Sequence, residues 1–432
     1  MQSSLPVDNL VSDTRGPAAP ALDDELRRGV LRTEVTRPVA WALVGSFLLA
    51  IVAVPLSQLY LEWLAEEESP LVDLVRQEPT AEALRQVEHD LEEASYAKTF
   101  VQPRLQQLLT RFGRVGNKRA VVGRDGWLYY TPGVQHVAGP GFLNPEIQRE
   151  RELAVRDADE PRLHADPRPA ILDFNAALAR RGIRLVLMPV PDKAAVEAES
   201  LHARGRPPQL PDNPDCDRLS AELRAAGVAV FDLRPLLPGP EQRAFLVQDT
   251  HWTPAWMEQV ARGLAAYVSE LGVLGAAPPP ALHAREESVE RVGDLVDMLR
   301  LPEDQTLFLP QSVPLHPVVD AAGDAWEPDP SAEILLLGDS FTNVFSLEGM
   351  GWGAAAGLAP QLALALARPL DVIAQNDSGA FVTRRALARE LAAGSDRLAG
   401  KRVVIWEFAA RELSAGDWQP IALPEAAATG AR

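Results

Sequence analysis

The residue pattern of this chain predicts an α/β fold with a doubly wound parallel sheet, preceded by one apolar helix long enough to cross a membrane. Three observations carry that expectation. Apolar, β-rich runs recur at residues 183–188, 228–231, 334–337 and 403–406, and runs without polar alternation belong to strands covered on both faces. Helical patterns fall between them, at 171–180, closed by Gly182, and at 219–226, which gives the alternation of a parallel sheet. Residues 39–56 contain no charged side chain, and about 18 such residues are enough to span hydrocarbon.

In chain order, residues 1–37 are rich in Pro, Asp, Ser and Arg and are expected to form a cytoplasmic tail without fixed structure. The span is placed at 38–60. Arg27, Arg28, Arg32 and Arg37 precede it while Glu62, Glu66, Glu67 and Glu68 lie after it, so the basic-residue bias keeps the N-terminal side in the cytoplasm and exports the C-terminal side. The run is long for a cleaved signal and has no small-x-small site after it, so a retained anchor is expected. Tyr60 and Trp63 suit the outer interface.

Residues 61–118 are expected to be a helical stalk or packing region, with Leu84, Val87, Leu91, Leu105, Leu108 and Phe112 at helical spacings and Pro103 interrupting them. A catalytic domain is placed at 119–415. It begins with Gly123-Arg124-Asp125-Gly126-Trp127-Leu128-Tyr129-Tyr130, a turn and then a strand. The proline-rich stretch 276–330 is expected to be irregular, and 416–432 a C-terminal tail.

Composition narrows the function. At 432 residues, with 47% hydrophobic and 24% charged, the chain can build a sizeable core. A net charge of -18 argues against an electrostatic grip on nucleic acid or on anionic lipid, since both rest on clustered Lys and Arg, unless a local basic cleft outweighs the global charge. The single cysteine, Cys216, lies between Asp215 and Asp217. It excludes an intramolecular disulfide, and its acidic neighbours raise a thiol pKa, so it is read as an inert surface residue. No metal or cofactor is expected.

The strand at 334–337 runs into Gly338-Asp339-Ser340. Ligands of open α/β sheets bind at the carboxyl ends of the strands, which is where Ser340 falls. Gly338 permits a sharp turn. Ser340 at a helix N-terminus would place free N–H groups where an oxyanion develops, while Ser340 or Asp339 as a plain N-cap after a strand is the structural alternative. A serine hydroxyl needs a base held by a third group. Asp249-Thr250-His251-Trp252-Thr253-Pro254 offers one: Asp249 against one imidazole nitrogen leaves the other for a serine. The same block also reads as a turn in which Asp249 caps a helix starting near Pro254.

These blocks, together with Val190-Pro191-Asp192-Lys193, Gly293-Asp294-Leu295 and Val404-Ile405-Trp406-Glu407, make residues 120–410 similar in content and order to the alginate O-acetyltransferase family of SGNH-hydrolase-like periplasmic proteins. The resemblance implies an SGNH-like sheet, Ser340 as nucleophile, His251 as general base and Asp249 as its orienting carboxylate. It also implies a bacterial inner-membrane anchor with the catalytic domain in the periplasm. A multi-span membrane-bound O-acyltransferase would supply acetyl groups, a polysaccharide would accept them, and other polysaccharide synthesis or export proteins are further candidate partners. Beyond the Ser340 N–H, Gly353 and the amide of Asn376 are candidate oxyanion donors. Lys193, Trp252 and Arg384 are candidates for glycan contact, each with a structural alternative in ion pairing, core packing or an exposed helix face. Two other functions stay open on sequence: a polysaccharide O-acetyl esterase with the same triad, and a noncatalytic glycan-binding or assembly protein.

Overall fold

The computed structural model describes residues 36–66, 80–154, 162–201, 211–239, 241–276, 278–376 and 379–424. The tail expected at 1–37 lies almost entirely outside them, as do Glu67 and Glu68. The chain divides into two compact units, Met1–Gln102 and Pro103–Arg432.

In the first unit, helix α1 (Arg37–Ala65) runs for 29 residues with a proline in its first turn. At about 1.5 Å per residue it is roughly 43 Å long, more than a hydrocarbon core of about 30 Å. Its apolar window has a mean hydropathy of 2.4, and among the described residues it is the one helix long and apolar enough to cross a membrane. The helix continues beyond the expected end at residue 60. Gln58 is buried there, donating to the Ala94 carbonyl at 2.7 Å and accepting from the Tyr96 N–H at 2.9 Å. Those bonds hold the end of α2 (Ala81–Glu93), whose first turn is capped by Thr80.

The second unit opens with α3 (Gln102–Gly113), so the break between units falls inside the stretch assigned to a stalk. Its centre is one five-stranded sheet built from β1 (Arg184–Val190), β2 (Ala229–Val230), β3 (Ile334–Gly338), β4 (Asp371–Ala374) and β5 (Val403–Ala409). The order is β4-β3-β5-β1-β2 and every pairing is parallel. Successive strand residues enter opposite cores. Val186, Met188, Leu336 and Ile405 pack on one face against α6 (Pro254–Glu270) and α8 (Leu358–Leu366). Leu185, Leu187, Leu335, Leu337 and Trp406 pack on the other against α4 (Pro167–Arg180), α5 (Cys216–Ala225) and α9 (Gly379–Ala392). This is the doubly wound arrangement predicted. The short helix α7 (Ser340–Asn343) comes directly after β3. Each fully buried Leu or Ile in these layers contributes about 1.5–3 kcal/mol of hydrophobic stabilisation.

Three differences from the sequence reading stand out. β4 was not expected, because its first residue is an aspartate; Asp371 is buried and paired with Lys401 at 3.0 Å and with Arg397. The stretch 276–330 is not irregular. It carries two antiparallel ladders, 287–291 on 311–315 and 283–284 on 318–319, and a short helix, Asp294–Leu299. The ordered domain passes residue 415, since Trp418 is fully buried against Trp406 and Phe408.

Candidate active site

The carboxyl ends of β3, β4 and β5 lie side by side, because all three run parallel. At that edge the chain leaves β3 through a turn that only glycine fits: a Cβ on Gly338 would stand 2.2 Å from Thr342 Oγ1 and 3.1 Å from Glu407 Oε2. Asp339 is the cap of α7. Its Oδ1 accepts from the Phe341 N–H at 2.8 Å and its Oδ2 from the Ala409 N–H at 2.8 Å, tying the turn to β5. Glu407, on β5, accepts from the Asp339 N–H at 2.9 Å and from the Thr342 hydroxyl at 2.8 Å. Burial, reinforced by the Asp339 charge, pushes the Glu407 carboxyl well above the usual range. These bonds fix Ser340 as the first residue of the helix, mostly buried.

His251 meets it from the loop before α6. Its Nε2 is 2.8 Å from Ser340 Oγ and its Nδ1 is 2.7 Å from Asp249 Oδ1. An ionised carboxylate only accepts, so Nδ1 carries the proton and Nε2 faces the hydroxyl as acceptor. Asp249 is heavily solvated by the protein itself. Oδ1 also accepts from the His251 N–H at 3.0 Å, and Oδ2 accepts from the Trp352 indole at 2.9 Å and the Asp294 N–H at 3.1 Å. Burial opposes its charge, but the bonds to His251, Asp294 and Trp352 outweigh burial and hold it below the usual carboxylate range. For His251, burial favours the neutral ring, while the Asp249 hydrogen bond and charge overcome that and raise its pKa.

Sequence reasoning missed the groups behind this pair. Trp352 and Asp294 brace Asp249, and Gly293 is there because a Cβ would strike the Gln248 carbonyl at 2.3 Å and the Asp249 nitrogen at 2.7 Å. Arg411 stacks over Tyr130 and Phe341 at 5.1 and 5.6 Å and lies 3.5 Å from Asp192. Phe341 in turn packs edge-on against His251 at 4.9 Å. The Gly293-Asp294 block was visible as a motif; nothing in the sequence tied Trp352 or Arg411 to Asp249 or Ser340.

Of the other assigned residues, three are buried in the interior and so are not the exposed glycan contacts expected. Lys193 is buried and donates to the Val247 and Asp249 carbonyls, both at 2.9 Å, with Trp127 and Tyr129 stacked beside it. Burial pulls its pKa down to about 7 despite the nearby Asp249 and Asp294 charges. Trp252 is fully buried, edge-on to Phe341 at 5.3 Å and to Trp256 at 5.9 Å. Arg384 is buried over the Trp406 ring at 4.9 Å and bonds the Gln419 carbonyl. These three hold the scaffold. Gly353 adopts a left-handed φ of 117°, one residue from Trp352. Asn376 lies just after β4 and is exposed, and its Oδ1 accepts from the Asn343 side chain at 2.8 Å.

Two described groups have donors spaced as a cation would need: Asp249, His251 and Asp294, and His136, Asp212 and Cys216. In the first, both imidazole nitrogens are already engaged by Asp249 and Ser340. In the second, His136 bonds Ser414 at 2.6 Å and sits 3.6 Å from Cys216, whose thiol is kept protonated by burial and by Asp212. Cys216 is therefore half-buried in a polar contact, not the surface residue expected.

With the geometry in place, comparison with known proteins decides the family. The family model described as "SGNH hydrolase-like domain, acetyltransferase AlgX" matches residues 120–410. The chain belongs to this SGNH hydrolase-like AlgX family. A "Probable alginate O-acetylase AlgJ" of Pseudomonas putida is 27% identical over 308 residues, 69% of this chain and 71% of that protein. The protein of the same name from Pseudomonas aeruginosa is 28% identical over 310 residues, again 69% and 71%. Among solved structures, the O-acetyltransferase domain of Pseudomonas putida AlgJ superposes with a TM-score of 0.51 at 24% identity, covering 70% of this chain and 94% of that one. That likeness establishes the SGNH-like fold.

Proposed function

We propose that this protein is a membrane-anchored O-acetyltransferase that places acetyl groups on hydroxyls of an exopolysaccharide in the bacterial periplasm, through an acetyl-serine at Ser340. The observation that carries the proposal is the continuous hydrogen-bonded chain Ser340–His251–Asp249 on the scaffold of an acetyltransferase family. In the first half-reaction His251 Nε2 takes the Ser340 proton as Oγ attacks the donor's acetyl carbon. The tetrahedral intermediate collapses, and the leaving oxygen departs with that proton. In the second, His251 deprotonates a glycan hydroxyl, which attacks acetyl-Ser340 and regenerates the serine. The proton taken from the glycan passes from His251 to Ser340 Oγ as the serine leaves, and Asp249 stays ionised throughout and stabilises the imidazolium that forms within each half-reaction. The Ser340 N–H, Gly353 and Asn376 are the proposed oxyanion donors.

The helix α1 supports a single-pass anchor, and the arginines ahead of it support an N-terminal side in the cytoplasm. Acetyl donors are made in the cytoplasm, so the chain requires a multi-span O-acyltransferase that passes acetyl groups across the membrane. Relatives named for alginate support a polysaccharide acceptor.

Transfer and hydrolysis differ only in what attacks the acyl-enzyme. Incubated with a soluble acetyl ester, the enzyme should acetylate an added oligosaccharide at the expense of free acetate. Acetate release unaffected by any acceptor would establish an esterase instead.

The rate should also depend on pH in a defined direction. His251 works as a base only when neutral, and Asp249 raises its pKa, so the rate of acetyl-ester turnover should fall as pH drops through a midpoint above the ordinary imidazole value of about 6.5. A pH–rate profile of kcat/KM checks it; a midpoint below that value would contradict the Asp249 contribution.

A further inference from the structure

Helix α3 is amphipathic the wrong way round for a globular domain. Two of its polar side chains, Gln106 and Thr110, face inward: the buried Thr110 hydroxyl donates to the Val115 carbonyl at 2.9 Å, and Gln106 donates to Thr110 Oγ1 and to the same carbonyl. Beyond the helix Asn117 anchors the adjoining loop by donating to the Met298 carbonyl at 2.8 Å, and on the helix itself the exposed Arg104 pairs with Asp304 at 3.0 Å. The outward face is the apolar one. Leu105, Leu108, Leu109 and Phe112, at the i, i+3, i+4, i+7 spacing of one helical stripe, are all exposed, Phe112 by 79%.

Charge identifies what covers that stripe. Exposed Arg111, Arg114, Lys118 and Arg119 surround its C-terminal end, and residues 94–123 contain no Asp or Glu, in a chain whose net charge is -18. An apolar stripe flanked by cations is the pattern of a helix lying in the interface of an anionic bilayer. Residues 66–101 connect the end of α1 to α3.

We propose that the outward face of α3 rests on the surface of an anionic lipid bilayer, giving the catalytic unit a second contact with the membrane beyond the anchor. The proposal uses the anchoring role of α1 but none of the chemistry at Ser340, and the test reads lipid contact and not acetyl transfer.

The full chain, in a Cys216→Ser background, is placed in nanodiscs with a single cysteine carrying an environment-sensitive fluorophore at position 108, 112 or 290, the last on an exposed strand of the same unit. With phosphatidylglycerol present, labels at 108 and 112 should shift to the blue and be quenched by brominated acyl chains at least about threefold more than the label at 290. Removing the anionic lipid, or introducing Arg111→Glu with Arg114→Glu, should lower that quenching by at least half. Absence of quenching at 108 and 112, or quenching unaffected by lipid charge, would overturn the proposal. Shielding that arises only when a multi-span acyltransferase is added would overturn it in favour of a protein interface. Unfolding midpoints matching the unlabelled chain confirm that the surface substitutions leave the fold intact.

Discussion

Ser340→Ala is expected to lower acetyl transfer by about 10⁴- to 10⁶-fold, the loss seen when the nucleophile of a hydrogen-bonded triad is removed, while the thermal midpoint stays within a few degrees. The asymmetry comes from the surroundings. Ser340 contributes one hydrogen bond, to His251 Nε2 at 2.8 Å, whereas the turn that carries it is held by Asp339, Thr342 and Glu407. Glycan binding, which does not need the hydroxyl, should survive. A variant retaining more than about a tenth of wild-type activity would remove Ser340 from the chemistry.

Asp249→Asn is expected to cost about 10⁴-fold in kcat, because an amide in place of the carboxylate no longer fixes the Nδ1–H tautomer. Unlike the serine change it should also destabilise the fold. Four donors converge on the carboxylate: the His251 N–H and Nδ1–H, the Trp352 indole and the Asp294 N–H. An asparagine accepts through one oxygen only, so donors on the other side meet an NH₂ group, at about 1–3 kcal/mol for each one left unpaired. The thermal midpoint should therefore drop by several degrees, and residual activity should shift its acid limb to lower pH as His251 loses its charge partner. Equal activity with an unchanged pH profile would show that Asp249 only braces the loop.

The three residues proposed for the chemistry were legible in the sequence as candidates because the motifs that carry them are local. An apolar strand ending in Gly-Asp-Ser and an Asp-x-His turn need only neighbouring residues, so Ser340, His251 and Asp249 could be named before their distances were known. The same locality made β1, β3 and β5 readable as apolar runs. The illegible remainder depends on burial and long-range contact. Lys193, Trp252 and Arg384 have the chemistry of glycan binders, yet each lies in the interior, and side-chain type alone carries no exposure. Trp352 reaches Asp249 across 103 positions of sequence. β4 hid because a buried Asp371 breaks its apolar pattern, and its partners, Lys401 and Arg397, come from elsewhere in the chain.

Arg411 illustrates the same limit at the site itself. Its burial disfavours the cation, but Asp192, Asp339 and Glu412 more than compensate, so it is a fixed positive charge beside the triad. That charge opposes protonation of His251. It therefore works against Asp249 in setting the imidazole, a balance drawn from residues at three separate places in the chain.

The most direct measurement is of the intermediate. The enzyme, mixed with an acetyl ester in the absence of acceptor and quenched in acid, should carry one added acetyl group, mapped by peptide mass spectrometry to Ser340 and lost on addition of an oligosaccharide that becomes acetylated. Transfer that proceeds with no acetyl on Ser340, or with the acetyl group on another residue, would contradict it.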